Sequence, residues 1–236
     1  MQAEPRVAVY YAPLPQDPLT EAAAAWLGRD PESNAPVRQP DLAGLAEVTT
    51  EPRLYGFHAT LKPPMALRDG ADWDDVLHAA NTVAAGTPAF DLPPLAVAEL
   101  HGFLALRETE PCPALQALAD ACVEQLDWLR APLSEAELTR RRKGKLTPEH
   151  DALLVRWGYP YVFGAWFFHM TLTRRLTVSE RAVYHPAAER HFAAALAKHR
   201  RVTEICLFTQ RMPGDAFVVA ERLPLGAEHS QRRMSA

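Results

Sequence analysis

The sequence predicts an α+β protein of two pseudo-symmetric lobes, each an antiparallel sheet with helices on its outer side, flanking a central cleft. Three observations predict it. The segments YGFHATLKPP (Tyr55–Pro64) and WFFHMTLT (Trp166–Thr173) both alternate apolar and polar residues with the two-residue period of a strand. Each is followed by the same order of elements, a helix and then two strand-like runs, which makes an internal β-α-β-β repeat. A chain of 236 residues is also long enough to bury a sizeable core as one large domain or two fused lobes.

Taken in order, Val7–Tyr11 is an apolar strand that joins one of the sheets and stops at the proline-rich APLPQDP. Thr20 is placed to cap a helix whose alanines and Trp26-Leu27 end at Gly28. Residues 29–50 are loop-like, with one turn of helix near Leu42–Leu45. The first histidine strand spans about 53–62, and Pro63-Pro64 is expected to end it. ADWDDVLHAANTVAAG reads as a helix with Asp72 as N-cap and Gly86 as stop, and FDLPPLAVAEL and GFLALRE as strands. Helices follow at Pro113–Leu129 and from Ser134, then the basic run Arg140–Lys145 and the aromatic approach RWGYPYVFG. The second histidine strand leads into a helix at about Ser179–His199 and the strands VTEICLFT and AFVVAERL. Within a single bilobal domain this gives a first lobe core at about 50–108, a connecting region at about 109–159 and a second lobe core at about 160–225. The polar tail 226–236 is expected to be disordered.

The chemistry lies on one face of the two alternating strands. Phe57, Ala59 and Leu61 point one way in the first, and His58, Thr60 and Lys62 the other; in the second, Trp166, Phe168, Met170 and Leu172 oppose Phe167, His169, Thr171 and Thr173. A single His-x-Thr pair is weak evidence, because Thr is a common strand former on a solvated face. Two pairs with the same facing, each opening the same unit, point instead to a shared site. Two imidazoles across a cleft can serve as general base and general acid near neutral pH. Thr60 and Thr171 can donate to the non-bridging oxygens of a phosphodiester and stabilise the charge that develops there.

Composition excludes several other classes. With 25 Lys+Arg against 29 Asp+Glu, a net charge of −4 offers no global attraction to a phosphate backbone, so any anion must be held locally. Cys112, Cys122 and Cys206 form no CxxC pair and leave one over, which fits a reducing compartment. The start MQAEPRVAVYYAPLP lacks the pattern of a secretory signal, and no segment approaches about 18 consecutive apolar residues. A cytoplasmic protein without membrane association is expected. The other histidines have no ligand spacing, and neither an HExxH, a Walker A nor a GxGxxG run occurs, so no metal and no cofactor is expected.

The paired H-x-T strands resemble the 2H phosphoesterase superfamily. RLYGFHATLKPP, RWGYPYV and FFHMTLTRRL together are similar to its branch of phosphonate-metabolism proteins, from bacterial phosphonate gene clusters, over about Arg6–Leu223. The resemblance implies metal-independent hydrolysis of a small cyclic phosphodiester, with His58, Thr60, His169 and Thr171 as the catalytic set. Through the branch's genetic setting it suggests a phosphorylated ribose 1,2-cyclic phosphate. Where the branch has Phe after the first Pro-Pro and Gly after the second HMTLT, this chain has Met65 and Arg174, at the margins of the motifs.

Substrate contacts are expected from Lys62, which shares the His58 parity, and from Arg175, which shares that of His169 and is preferred to Arg174 for a second phosphate unless a bulge intervenes. Tyr11 and Tyr55 could flank a sugar or base, and Phe167 could stack on a ring. The basic run Arg140–Lys145 could clamp a terminal phosphate or be a solvated helix end. Two rivals remain: an RNA-processing enzyme for 2′,3′-cyclic ends or 2′-5′ bonds, disfavoured by the acidic charge, and a non-catalytic nucleotide or phosphosugar binding module. The expected partner is a small phosphorylated substrate; oligomeric state has no sequence signal.

Overall fold

A computed structural model describes residues 5–226 of the chain. The segment before the first histidine strand forms β1 (Arg6–Tyr11), α1 (Pro18–Leu27), α2 (Leu45–Val48) and α3 (Thr50–Tyr55). The first histidine strand is β2 (Ala59–Ala66), followed by α4 (Trp73–Gly86), β3 (Phe90–Leu92), β4 (Leu95–Leu100) and β5 (Phe103–Glu108). Then come α5 (Pro113–Leu126), α6 (Glu135–Arg142) and α7 (Pro148–Trp157). The second histidine strand is β6 (Met170–Thr171), followed by α8 (Val178–Leu196), β7 (Arg200–Val202), β8 (Glu204–Gln210) and β9 (Val218–Pro224). From residue 227 on, the tail expected to be disordered lies outside the described residues.

Seven strands form one sheet in the order β4-β5-β6-β2-β1-β8-β9, antiparallel throughout, and β3 and β7 pair separately. The fold is the mixed α+β arrangement with antiparallel sheets that the sequence predicts. Each half of the main sheet takes strands from both units of the repeat. The hairpin β4-β5 of the first unit borders β6 of the second, while β8-β9 of the second extends the side of β2 through β1. The two units are therefore interleaved in space, and the two histidine strands meet at the centre.

Local signals explain most of the elements. Asp72 and Asp75 form a capping box at the start of α4, as do Ser134 with Glu137 for α6 and Thr177 with Glu180 for α8. For α1 the cap is Asp17 rather than Thr20: Pro18 takes the first turn, where its missing N–H costs nothing, and the Asp17 carboxylate accepts from Leu19 N at 2.8 Å. The β4-β5 turn uses His101 and Gly102, both at positive φ (47° and 92°), as a two-residue hairpin demands. The apolar faces of α1, α4, α5 and α8 cover one side of the sheet in a single core that includes Val7, Val9, Tyr11, Phe57, Ala59 and Leu61. On the opposite side of β1 and β8 a smaller cluster gathers Ala8, Tyr10, Ala12, Cys206, Phe208 and Phe217. No helix among the described residues is long and apolar enough to cross a membrane.

Several expectations need correction. Residues 53–55 end helix α3, and the stretch after the basic run forms a further helix, α7, capped by Thr147. Pro63 and Pro64 do not end β2 but lie inside it. The β1-β2 register runs Tyr10↔Thr60, Val9↔Lys62 and Val7↔Met65, so two shifts let the prolines sit where no ladder N–H is required. The same irregularity moves Lys62. Leu61 and Lys62 both stand at the level of Val9, and Lys62 turns to the helix side, away from His58. It is 2% exposed, donates to Val123 O in α5 at 3.2 Å and pairs with Asp127 at 3.3 Å.

Asp127 is the centre of that cluster, since it also accepts from Arg130 at 2.8 Å and from Arg156 at 3.3 Å. Burial pushes the Lys62 ammonium down to about 8 against the pull of Asp127. Asp127→Asn is expected to lower stability by about 3–5 kcal/mol, because it leaves a buried ammonium beside two guanidinium groups without their anion. Lys62→Met keeps the apolar stem and leaves Asp127 with both arginines, so it is expected to change stability by only about 1 kcal/mol and turnover not at all. Urea unfolding and steady-state rates check both; a well-folded Lys62→Met protein with impaired turnover would return Lys62 to the site.

Candidate active site

Pairing of Ala59 with Met170 fixes the site's geometry. Continued by one residue each way, that register sets Thr60 opposite His169 and Thr171 opposite His58. Directly opposed side chains have Cβ atoms about 4.5–5.5 Å apart and diagonal ones about 7–8 Å apart. The four side chains thus form a compact block on the face away from the main core, with the two imidazoles on its diagonal. Two indoles hold the block in register: Trp166 Nε1 donates to Thr60 O at 2.8 Å, and Trp26 Nε1 donates to Leu172 O at 3.1 Å. Apolar anchors behind it, Phe168, Met170 and Leu172, are fully buried.

Both histidines use the same local device. Nδ1 of His58 bonds Gly56 O at 2.9 Å, and Nδ1 of His169 bonds Phe167 O at 3.1 Å, in each case the carbonyl two residues back. A carbonyl can only accept, so each Nδ1 carries a proton, and in the neutral ring Nε2 keeps the lone pair. Nε2 of His58 lies 3.2 Å from Thr60 Oγ1. Gly56 has φ 76°, and a Cβ there would meet Pro31 at 2.8 Å, so the carbonyl that orients His58 depends on a residue without a side chain. Tyr10 stacks on the His58 ring at 3.7 Å between centroids.

Burial pushes the His58 imidazole down to about 4, the Gly56 bond opposes this, and the charge of His169 adds to it. His169 is also lowered, by burial first, with the Phe167 bond opposing and the Arg107 charge contributing. Both rings are therefore neutral at pH 7 in the free protein. A bound phosphate anion favours the imidazolium form of the ring beside it.

The sequence profile of the family described as "Protein of unknown function (DUF1045)" matches residues 60–218. The chain belongs to the DUF1045 family. Among similar proteins, the ribose 1,5-bisphosphate phosphokinase PhnN of Janthinobacterium sp. (strain Marseille) is 39% identical over 94% of this chain and 51% of its own length. The protein of the same name from Laribacter hongkongensis (strain HLHK9) is 38% identical over 90% of this chain and 50% of its own. The chain thus spans about half the length of the curated relatives it matches. Among solved structures, E. coli LigT complexed with NADP+ is 14% identical with a TM-score of 0.42, covering 95% of this chain and 100% of LigT. A structure described as a phosphoesterase is 14% identical with a TM-score of 0.45, covering 96% of this chain and 100% of its own. Overlays this loose carry no weight by themselves.

In this DUF1045 protein other residues expected at the site fall in three groups. Tyr55 and Phe167 are there: the Tyr55 ring lies 6.2 Å from that of His58, and Phe167 4.8 Å from His169. Lys62 and Tyr11 are not. Tyr11 is 3% exposed, packed in the main core 6.2 Å from Phe168, and its neighbour Tyr10 takes the histidine face instead. Arg175 is exposed beyond the end of β6; Leu172 N and Thr173 N both donate to Leu104 O, and that irregularity ends the alternation on which its placement rested. Arg174 pairs with Glu180 at 2.9 Å.

Sequence reasoning missed Arg107. The pairs Ala105↔Thr171 and Leu106↔Met170 place it opposite His169, with its guanidinium 5.5 Å over the Phe167 ring and its Nε buried without a partner among the described residues. Beside it, Ala96, Ala98, Glu108, Thr109 and Glu110 line a cavity of about 430 Å³. The parity of GFLALRE carries the signal for Arg107; the identity of the neighbouring strand does not appear in that segment. No group of three or more His, Cys, Asp or Glu side chains placed to hold a metal occurs among the described residues.

Proposed function

We propose that this protein is a cyclic phosphodiesterase of the 2H type, acting without a metal on a small phosphosugar. The observation that carries the proposal is the block of two imidazoles and two threonine hydroxyls, with both Nδ1 atoms tied to the main chain, the Nε2 of His169 without a partner among the described residues and that of His58 sharing only the Thr60 hydroxyl, one of the groups that would turn to the phosphate. Such a block suits in-line displacement at phosphorus. One Nε2 takes a proton from the attacking water as its oxygen bonds to phosphorus. The bond from phosphorus to the departing sugar oxygen breaks, and the other imidazole, protonated in the complex, gives that oxygen its proton. Thr60, Thr171 and Arg107 hold the non-bridging oxygens, where charge develops. Turnover is expected to survive a chelator.

The relatives' name supports one substrate over others. It refers to a kinase of ribose 1,5-bisphosphate, and this chain, which matches half of those proteins, has no Walker-type G-x-x-x-x-G-K-S/T run. On this reading the kinase step belongs to the half that this chain does not cover, and this half supplies the metabolite. Opening 5-phosphoribosyl 1,2-cyclic phosphate with water, with cleavage of the bond from phosphorus to O2, gives ribose 1,5-bisphosphate. A panel of cyclic phosphates followed by ³¹P NMR tests the proposal. The ribose 1,2-cyclic ester is expected to open faster than nucleoside 2′,3′-cyclic phosphates, with the phosphate retained on C1; preference for the nucleosides would favour RNA-end processing, and turnover of none would favour a binding module.

A further inference from the structure

Buried polar atoms without partners are rare in folded proteins, and each calls for an explanation such as a catalytic role or a bound water, ion or ligand. Six such side-chain atoms occur among the described residues; two of them, Tyr10 Oη and Arg107 Nε, belong to residues beside the histidines, and a third, Arg141 Nε, lies in the connecting segment beside Tyr159. Arg107 stands beside His169, at the reacting phosphate. The other two border a second group on the opposite flank, which the reaction as proposed does not use.

That group is built from three parts of the chain. Arg6 sits on β1 with the same parity as Tyr10, four residues further along, and Tyr10 is opposite Thr60. At about 3.3 Å per residue the two Cα atoms are about 13 Å apart, a span that the long Arg6 side chain can shorten. Its guanidinium lies 5.3 Å over the Phe217 ring and donates to Gln210 Oε1 at 2.8 Å, a neutral acceptor. Phe217 in turn stacks on Tyr55, 5.4 Å between centroids, next to His58. From the connecting segment, Arg141 of α6 lies 5.7 Å over the ring of Tyr159. Arg6, Tyr55 and Tyr159 all bear electrostatically on the Tyr10 hydroxyl, and Arg6 bears on Arg141.

Charge balance separates this flank from the other. Neither Arg6 nor Arg141 forms a salt bridge with a carboxylate among the described residues, whereas Arg107 has Glu108 at 3.4 Å. Glu137, one turn from Arg141, is engaged in capping α6 through Ser134. Glu137 offsets part of the charge on Arg141, but Arg6 adds to it and neither guanidinium is salt-bridged among the described residues, so a dianion between the two relieves a remaining repulsion.

We infer that Arg6 and Arg141, with the hydroxyls of Tyr55 and Tyr159, form a second anion subsite for a phosphomonoester on the same small substrate whose cyclic ester lies between the two histidines. The inference rests on the function proposed above and deepens it by assigning residues to the second phosphate of that substrate. It also gives Arg141, within the basic run, the role that parity gave to Arg175. Arg142 of the same run is tied to Asp151 at 2.6 Å.

The test compares Arg141→Met, Arg6→Met and the double variant with the unaltered chain on two substrates, ribose 1,2-cyclic phosphate with and without a 5-phosphate. For the phosphorylated ester, KM is expected to rise about tenfold in Arg141→Met and about 100-fold in the double variant, with kcat little changed. For the ester lacking the 5-phosphate none of the three variants should alter KM. An equal change on both esters, or none on the phosphorylated one, overturns the subsite while leaving the phosphodiesterase intact. Calorimetric titration with ribose 5-phosphate reads the subsite without turnover. Binding about tenfold weaker in Arg141→Met supports it even if neither ester is hydrolysed, in which case the proposed function fails alone. Equal binding by the unaltered chain and the variant overturns the subsite.

Discussion

His58→Gln and His169→Gln are each expected to lower turnover of a cyclic phosphodiester by about 10²–10⁴-fold, the usual contribution of a positioned general acid or base. Glutamine can keep a polar contact but cannot exchange a proton near neutral pH. Because the two imidazoles act on one phosphorus centre, the double variant should fall little below the worse single one, as groups that act as a unit are not additive. Circular dichroism and the unfolding midpoint check the fold, a needed control for His58, whose ring stacks on Tyr10. Losses of less than about threefold in folded variants would remove the two histidines from the chemistry and overturn the acid-base assignment.

Arg107→Met is expected to reduce kcat/KM by about 10²–10³-fold, the effect of removing one donor from charge that develops in the transition state. It should also move one limb of the pH profile. Arg107 is one cause of the lowered His169 pKa, so its loss raises that pKa. If His169 is the acid, a higher pKa keeps it protonated to higher pH, and the alkaline limb of kcat/KM moves up. If His169 is the base, it loses its proton only at higher pH, and the acidic limb moves up instead. The limb that shifts assigns the two roles, which the pseudo-symmetry leaves open. A variant with unchanged rate and an unchanged profile would place Arg107 outside the reaction.

Much of the site can be read locally. His58 and Thr60, and His169 and Thr171, are assigned to one face by alternation against Phe57, Ala59, Phe168 and Met170, and burial of those four apolar residues is what alternation requires. The cap at Asp72 and the helix start at Ser134 likewise follow from spacing, whereas α8 is capped by Thr177, two residues before the expected start at Ser179. Where parity was extended past an irregular pairing it failed. Lys62 lies beyond a bulge that depends on how β1 pairs with the Pro63-Pro64 region, and Arg175 lies beyond the point where Leu172 N and Thr173 N share one carbonyl. The expectation for Tyr11 fails because it lies in a strand apolar on both faces, a pattern that cannot say which face meets the helices.

By itself the sequence determined the two histidine-threonine pairs, their facing, the repeat that relates them and the ends of several helices. These depend on interactions within a few residues, where steric preference and hydrogen-bond geometry act without help from the rest of the chain. Only the tertiary structure decided that the repeats interleave, that β6 lies against β2, and that Tyr10 and Arg107 stand beside the histidines. Strand neighbours and register are set by burial summed over the whole sheet, between segments more than 100 residues apart for β2 and β6, and no local pattern contains that sum.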